Sequence, residues 1–392
     1  MNPTLTTIKK ALKFLVFLMF FVPITSLADT FIKIQKLTNT FKGGALDISP
    51  SEDGRYVFIK DTHQIYWLMS TTRPLASQKI FNDKPDSLLF DYGFLRAQWH
   101  NNHIIFFPED KTEFYNIQNQ KIDQRYPLIL TGFGNSEIFW SEKHQRFIVG
   151  TKVFSVDSDT QVDPGQDWHA HQTGLLMTRN GDDYITAGYH DESIMRWTLP
   201  DGELKETWYL GSWYASRNVS DIALIDNQLL VATNNGEINV RSIKNDSTLW
   251  SASPCGSFFT SAKPHFMLNG SVLLKNKSIH HDKLVFYRCQ GAESQHGFIE
   301  KQGNDWKLNK ITLPSSSNSS LERAYYLDSI NKAILGLYNG QVLLYDLKNK
   351  NIDQVIVPEA AEGEGTALFA YLKADKLLVV VNDKTVDIYQ YQ

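Results

Sequence analysis

Little in this chain of 392 residues points to catalysis, to nucleic acid or to a helical core. Its two cysteines include no CxxC pair, which removes the common zinc patterns. There is no GxSxG nucleophile elbow, no HExxH and no Walker-type phosphate loop, so no catalytic residue and no cofactor is expected. A net charge of −4 with no basic excess gives no sign of an anionic membrane surface as a partner, and no nucleic acid is expected. After residue 30 no stretch keeps a 3.6-residue apolar period, and no run approaches the roughly 20 residues needed to cross a bilayer. The acidic turns Asp157-Ser158-Asp159 and Gly181-Asp182-Asp183 lack the offsets of an EF-hand loop, and Asp in a turn commonly caps its own backbone.

What is present begins at the N-terminus. Lys9, Lys10 and Lys13 precede the apolar run Phe14–Val22, and Ser26-Leu27-Ala28 follows with small residues where a signal peptidase reads. The pattern predicts a signal peptide over 1–28, cleavage after Ala28 and a mature domain over 29–392, with an uncleaved anchor as the alternative. The expected location is the periplasm, or outside the cell, for a chain that does not span the membrane once cleaved. In that oxidising setting Cys255 and Cys289 invite a disulfide, and two buried free thiols are the other reading.

The body of the chain repeats a phrase. An apolar strand ends in a polar turn and a second strand follows, as in DESIMRWTLPDG (Asp191–Gly202), NGEINVRSI (Asn235–Ile243), NGQVLLYDL (Asn339–Leu347) and DKTVDIYQY (Asp383–Tyr391). Aligning the strand after each turn gives anchors at Ile65, Phe114, Val153, Ile194, Ile238, Leu284, Val342 and Val386, spaced by 39–49 residues with one interval of 58. Self-similarity near 40–45 residues is the mark of a β-propeller with four-stranded blades. Dividing the mature length by eight gives about 45 residues per blade, so an all-β propeller of eight blades is predicted, with seven larger blades as the alternative count.

The two ends complete each other. The last repeat supplies three strands, near Ala367–Leu372, Lys376–Val381 and Thr385–Tyr391, and then the chain stops. Phe31–Leu37 (FIKIQKL) alternates like a strand but has no blade of its own. Pairing it onto the last blade closes the ring and protects both open edges.

Ser49-Pro50-Ser51-Glu52-Asp53-Gly54-Arg55-Tyr56-Val57 is similar to the hairpin of WD40-like and quinoprotein-like repeats. Asp191 through Trp197 resembles the turn and third strand of a WD repeat, with Trp197 in the place of that repeat's Trp. The resemblance covers nearly all of the mature chain but is degenerate, because most repeats lack the Gly-His and Trp-Asp pairs. It implies a fold, and a binding face made of between-blade loops and the turns joining each blade's second and third strands.

On that face the between-blade loops are expected to carry Arg96, Trp99 and His100, then Trp168, His169 and His171, then Trp213, Tyr214 and Arg217. The within-blade turns are expected to add His63, His190 with Asp191, Asn234 with Asn235, and His280 with His281 and Asp282. His169 and His171 in an extended segment would point the same way and could meet one metal, with His190 or Asp191 completing it; the simpler reading is a pair of loop histidines, and no metal is assigned. Trp213, Tyr214 and Arg217 suit recognition of a peptide or sugar, or else Trp208 and Trp213 pack between blades. Glu359–Gly365 reads as a solvated acidic loop. The expected function is therefore an exported, monomeric scaffold that binds a protein or envelope component through its loop face. The alternative is a small-ligand or metal-assisted hydrolase propeller with its site at the channel mouth.

Overall fold

Strand-forming runs of Val, Ile, Leu, Phe and Tyr, punctuated by polar turns, build eight antiparallel sheets arranged as the blades of a propeller. The computed structural model describes residues 30–392 apart from 39–43, 52, 63–64, 71–76, 83–96, 101, 107–111, 127–137, 157–160, 163–171, 179, 189–192, 211–217, 226, 257–262, 268–277, 280–282, 291–294, 314–319 and 360–367. The expected leader, Met1–Ala28, lies outside the described residues.

Each blade counts its strands from the channel outward. Blade 1 is Ala45–Pro50, Tyr56–Asp61, Ile65–Ser70 and Ser77–Asn82; blade 2 is Ala97–His100, His103–Phe106, Thr112–Asn116 and Lys121–Tyr126. Blade 3 is Ile138–Ser141, Arg146–Val149, Lys152–Ser155 and Gln161–Val162; blade 4 is Gln172–Met177, Asp183–Gly188, Ser193–Thr198 and Leu204–Tyr209. Blade 5 is Val219–Ile225, Gln228–Thr233, Ile238–Ser242 and Thr248–Ala252; blade 6 is Lys263–Met267, Leu284–Gln290, His296–Gln302 and Asp305–Ile311. Blade 7 is Leu321–Leu327, Lys332–Leu337, Val342–Asp346 and Asn351–Val357. Blade 8 is Leu368–Leu372, Leu377–Asn382 and Thr385–Tyr391, and its outer strand is Phe31–Leu37.

The eight-blade count and the closure are both as predicted. Phe31 pairs with Tyr391 and Leu37 with Val386, so the first and last strands of the fold share one sheet. Phe31 then exchanges two 2.8 Å hydrogen bonds with the Gln354 side chain of blade 7, and its ring lies 5.1 Å from that of Tyr391.

One anchor is corrected. Leu284 opens the second strand of blade 6, not the third, which is His296–Gln302. The 58-residue interval, from Leu284 to Val342, is long because it starts one strand early. A long connection, residues 268–283, separates the first and second strands of that blade and carries the second strand to the place expected for the third. Part of it, Ser278–Ile279, pairs in parallel with Leu224 and Ile225 on the innermost strand of blade 5. His280, His281 and Asp282 therefore belong to this connection and not to a second-to-third strand turn; they lie outside the described residues.

The core is a ring of eight apolar clusters, one in each gap between neighbouring blades. Period-2 alternation explains this, because each middle strand turns odd residues to one neighbour and even residues to the other. In blade 6, Val285 and Tyr287 pack with blade 5, while Leu284 and Phe286 pack with blade 7. Trp197 is fully buried against Tyr184 in the gap between blades 3 and 4, and its indole N–H donates to Thr186 Oγ1 at 2.8 Å. The Ser-Pro hairpin is a tight turn in which Ser51 Oγ donates to Asp53 at 2.6 Å. Gly54 has φ +68 there, and a Cβ would stand 3.0 Å from the backbone nitrogens of Lys373 and Ala374 in blade 8.

Candidate binding face

Antiparallel order puts the between-blade connections and the second-to-third strand turns at one end of the molecule. Backbone hydrogen bonds tie the two loop types together: Thr62 N–H to Gly44 O at 2.8 Å, Asn234 N–H to Asn218 O at 2.9 Å and Tyr338 N–H to Ser320 O at 2.9 Å. In each pair the first residue opens a turn and the second precedes a blade. In blades 1, 5 and 7 the two loop types therefore meet at the same end of the blade.

Two tyrosines stand out on this end. Tyr209 closes the outer strand of blade 4 and is 70% exposed; Tyr338 opens the turn of blade 7 and is 63% exposed. Between them lies the Cys255–Cys289 disulfide, with a Cα separation of 5.4 Å, which joins the approach to blade 6 to that blade's second strand. Asn235, in the neighbouring turn, accepts a hydrogen bond from Thr233 Oγ1 at 2.5 Å.

A polar group sits under the same end where blades 6 and 7 meet. Arg288 forms an ion pair with Glu322, and Ser320 Oγ donates to that carboxylate at 2.8 Å. His296 stands opposite Arg288 in the ladder, is 6% exposed, and its Nδ1 has no hydrogen-bond partner. Burial, with the nearby Arg288 cation, pushes the His296 imidazole down to about 4 against a partial offset from Glu322.

The channel wall carries residues that the repeat alignment did not single out. In blades 1, 4, 5 and 7 the innermost strand shifts register near its start, after which come Asp47, Gly174, Asp221 and Arg323. Arg323 reaches past blade 8 to bond Asp47 and, at 3.1 Å, the carbonyl of Ile48 in blade 1. The Arg323 and Asp47 side chains are 6% and 0% exposed, so this part of the wall is filled by a buried ion pair. Asp221 accepts from the Phe266 N–H of blade 6 at 3.0 Å, and Ser220 donates to Pro264 O at 2.8 Å. Gly174 admits blade 5, because a Cβ would come within 2.4 Å of Ile222 Cγ1. The available signal was a polar residue near the start of an otherwise apolar inner strand.

Of the predicted loop-face residues, Trp99 and His100 lie within the first strand of blade 2 and not in a loop. Trp99 is buried, its ring 6.0 Å from that of Phe58 in blade 1. His100 falls at the far end of that strand, beside the opposite face, and pairs with Glu142 of blade 3 at 3.0 Å. That opposite face also holds His103 with Asp123 at 2.9 Å, and His144 with Asp182 at 3.3 Å. Arg96, Trp168, His169, His171, His190, Asp191, Trp213, Tyr214 and Arg217 lie outside the described residues, as does His63. Trp208 is buried between blades 4 and 5. Among the described residues no group of three or more His, Cys, Asp or Glu is placed to hold a metal.

Comparisons with known proteins agree with the architecture and reach no further. No protein-family model and no curated protein matches the sequence. The crystal structure of the computationally designed Ika8 protein is similar, with a TM-score of 0.59 at 11% identity over 93% of this chain and all of that one. The β-propeller domain of Myceliophteria thermophila Cps50 (Swd1) is similar, with a TM-score of 0.51 at 9% identity and the same 93% and 100% coverage. At such identities the likeness is one of fold: the chain is a β-propeller of eight blades.

Proposed function

We propose that this chain is an exported propeller, working in the periplasm or outside the cell, that holds a protein or envelope component on its loop face. The observation that carries the reading is the pair Tyr209 and Tyr338, 70% and 63% exposed on one end of the molecule, whereas the other described tyrosines are buried or half-buried. Tyrosine is enriched at binding hot spots because it covers a large area and loses little rotamer entropy on binding. Trp213, Tyr214 and Arg217 belong by sequence to the between-blade connection that follows Tyr209, and would add the same chemistry. The alternative of a small-ligand site at the channel mouth draws less support, since Arg323 and Asp47 fill the wall at blades 7 and 1.

In-cell crosslinking of the full chain, followed by binding of the captured protein in purified form, tests the reading. A defined partner is expected, with affinity falling about tenfold or more in Tyr209→Ala, Tyr338→Ala and Trp213→Ala. His144→Ala on the opposite face is expected to bind like the parent. Equal binding by all the loop-face variants overturns the assignment of the face. Export is tested separately by N-terminal sequencing of the mature protein, which should begin at Asp29.

A further inference from the structure

Blade 6 meets its two neighbours by different chemistry. On the strand Leu284–Gln290, Cys289 faces blade 5 and is bonded to Cys255, while the adjacent Arg288 faces blade 7 and is paired with Glu322. At this level the seam toward blade 5 is pinned by a disulfide from the connection that leaves blade 5, and the seam toward blade 7 by an ion pair. Register aligns His265, Arg288 and His296 across three strands of the blade, all on the side turned to blade 7. Ile311 completes that row on the outer strand.

The charged and titratable groups facing His296 can be named from each packed element. Its own blade supplies Arg288, with His265 one strand further in, and blade 7 supplies Glu322. Blade 7 otherwise gives this gap the buried Leu321, Leu335, Leu337 and Leu343, together with Tyr345 and Tyr326, whose phenols stay neutral across the acid range. A neutral His296 leaves one cation and one anion at the seam. A protonated His296 adds a buried charge that Glu322, already engaged by Arg288 and Ser320, cannot compensate.

We infer that the contact between blades 6 and 7 is an acid-sensitive seam, which loosens when His296 takes up a proton while the disulfide keeps blades 5 and 6 joined. The device belongs to the fold itself and stands whether or not the loop face binds a protein. The sign follows from the depressed imidazole. The seam's stability is fully present above about pH 6.5, the ordinary value for histidine, and is lost as the pH falls toward about 4.

Hydrogen exchange of the full chain between pH 7 and pH 4.5, corrected for intrinsic rates, reads the seam directly. Peptides spanning 296–302 and 320–327 are expected to exchange about tenfold faster at the lower pH, while 219–225 stays protected. His296→Gln should flatten that response. Glu322→Gln should deepen the response and extend it to lower pH, because Arg288 then depresses the His296 imidazole without an anion to offset it. Imidazole resonances of the unmodified protein give a readout independent of either variant, and His296 should titrate well below an ordinary histidine. An unchanged response in folded His296→Gln, a response that follows His265→Gln instead, or an ordinary titration of His296 each overturns the inference.

Discussion

Blades 2 and 3 reach the same architecture as blades 6 and 7 with far less strand. The first two strands of blades 2 and 3 have four residues each, and the outer strand of blade 3 has two. Across the ring, three strands of blade 6 and the first strand of blade 7 have seven each. A short strand offers few ladder hydrogen bonds, so the thin blades depend on ring packing. Phe114, Trp140 and Phe147 fill the gap between them, with ring centroids 4.6–6.1 Å apart. The gap between the thick blades holds more side chains, with Leu321, Leu335, Leu337, Leu343 and other aliphatic residues around Phe286, Phe298 and Tyr345. A propeller thus tolerates unequal blades provided every gap is filled, whether by few large side chains or by many smaller ones.

The sharpest expected losses come from single groups that have no substitute. Arg323→Met leaves Asp47 as a buried charge at the closure of the ring, and should cost about 3–5 kcal/mol in urea unfolding. Adding Asp47→Leu should recover most of that loss; a double variant as unstable as the single one would show that Arg323 acts through packing instead. Phe147→Ala tests the thin half, with an expected loss of about 3–5 kcal/mol for a fully buried ring. If Leu335→Ala in the thick half costs clearly more, the aromatic gap is not carrying the load assigned to it. Next comes the covalent seam: Cys255→Ser with Cys289→Ser opens a loop of 34 residues and should remove about 3–4 kcal/mol.

The same contrast explains what could be read from sequence. The four phrases that revealed the repeat belong to blades 4, 5, 7 and 8, where middle strands of five to seven residues meet at short turns. Blade 3, anchored at Val153, has four-residue strands that barely complete two alternations, and periodicity fades at that length. In blade 6 the connection over 268–283 displaced the anchor by one strand. Closure was legible because an unpaired strand at one end and a missing strand at the other leave a single answer. The polar groups were harder to see. His296, Arg288 and Glu322 lie in three separate strands, and only the register and the facing of blade 6 bring them together. Asp47 and Arg323 are 276 residues apart and belong to blades that are not even neighbours.

The smallest expected effect also separates the two halves most cleanly, because it lies in a different pH range. In blade 2 the Asp123 carboxyl is pushed up by burial, but hydrogen bonds from His103 and Asn116, with the His103 charge, outweigh this and hold it below the usual range. A carboxyl depressed on folding lends stability above its unfolded value, near pH 4, and loses it as the pH falls through the lower folded value. His103→Ala should therefore cost less than about 1 kcal/mol near pH 7, as for a partly exposed pair, and should reduce the loss of stability below pH 4. The blade 6–7 seam responds above pH 4 and the blade 2 pair below it. Urea unfolding of the parent, His103→Ala and His296→Gln from pH 7 to pH 3 should resolve two separate steps. A single step that both substitutions shift together would mean that the thin and thick halves do not titrate as independent regions.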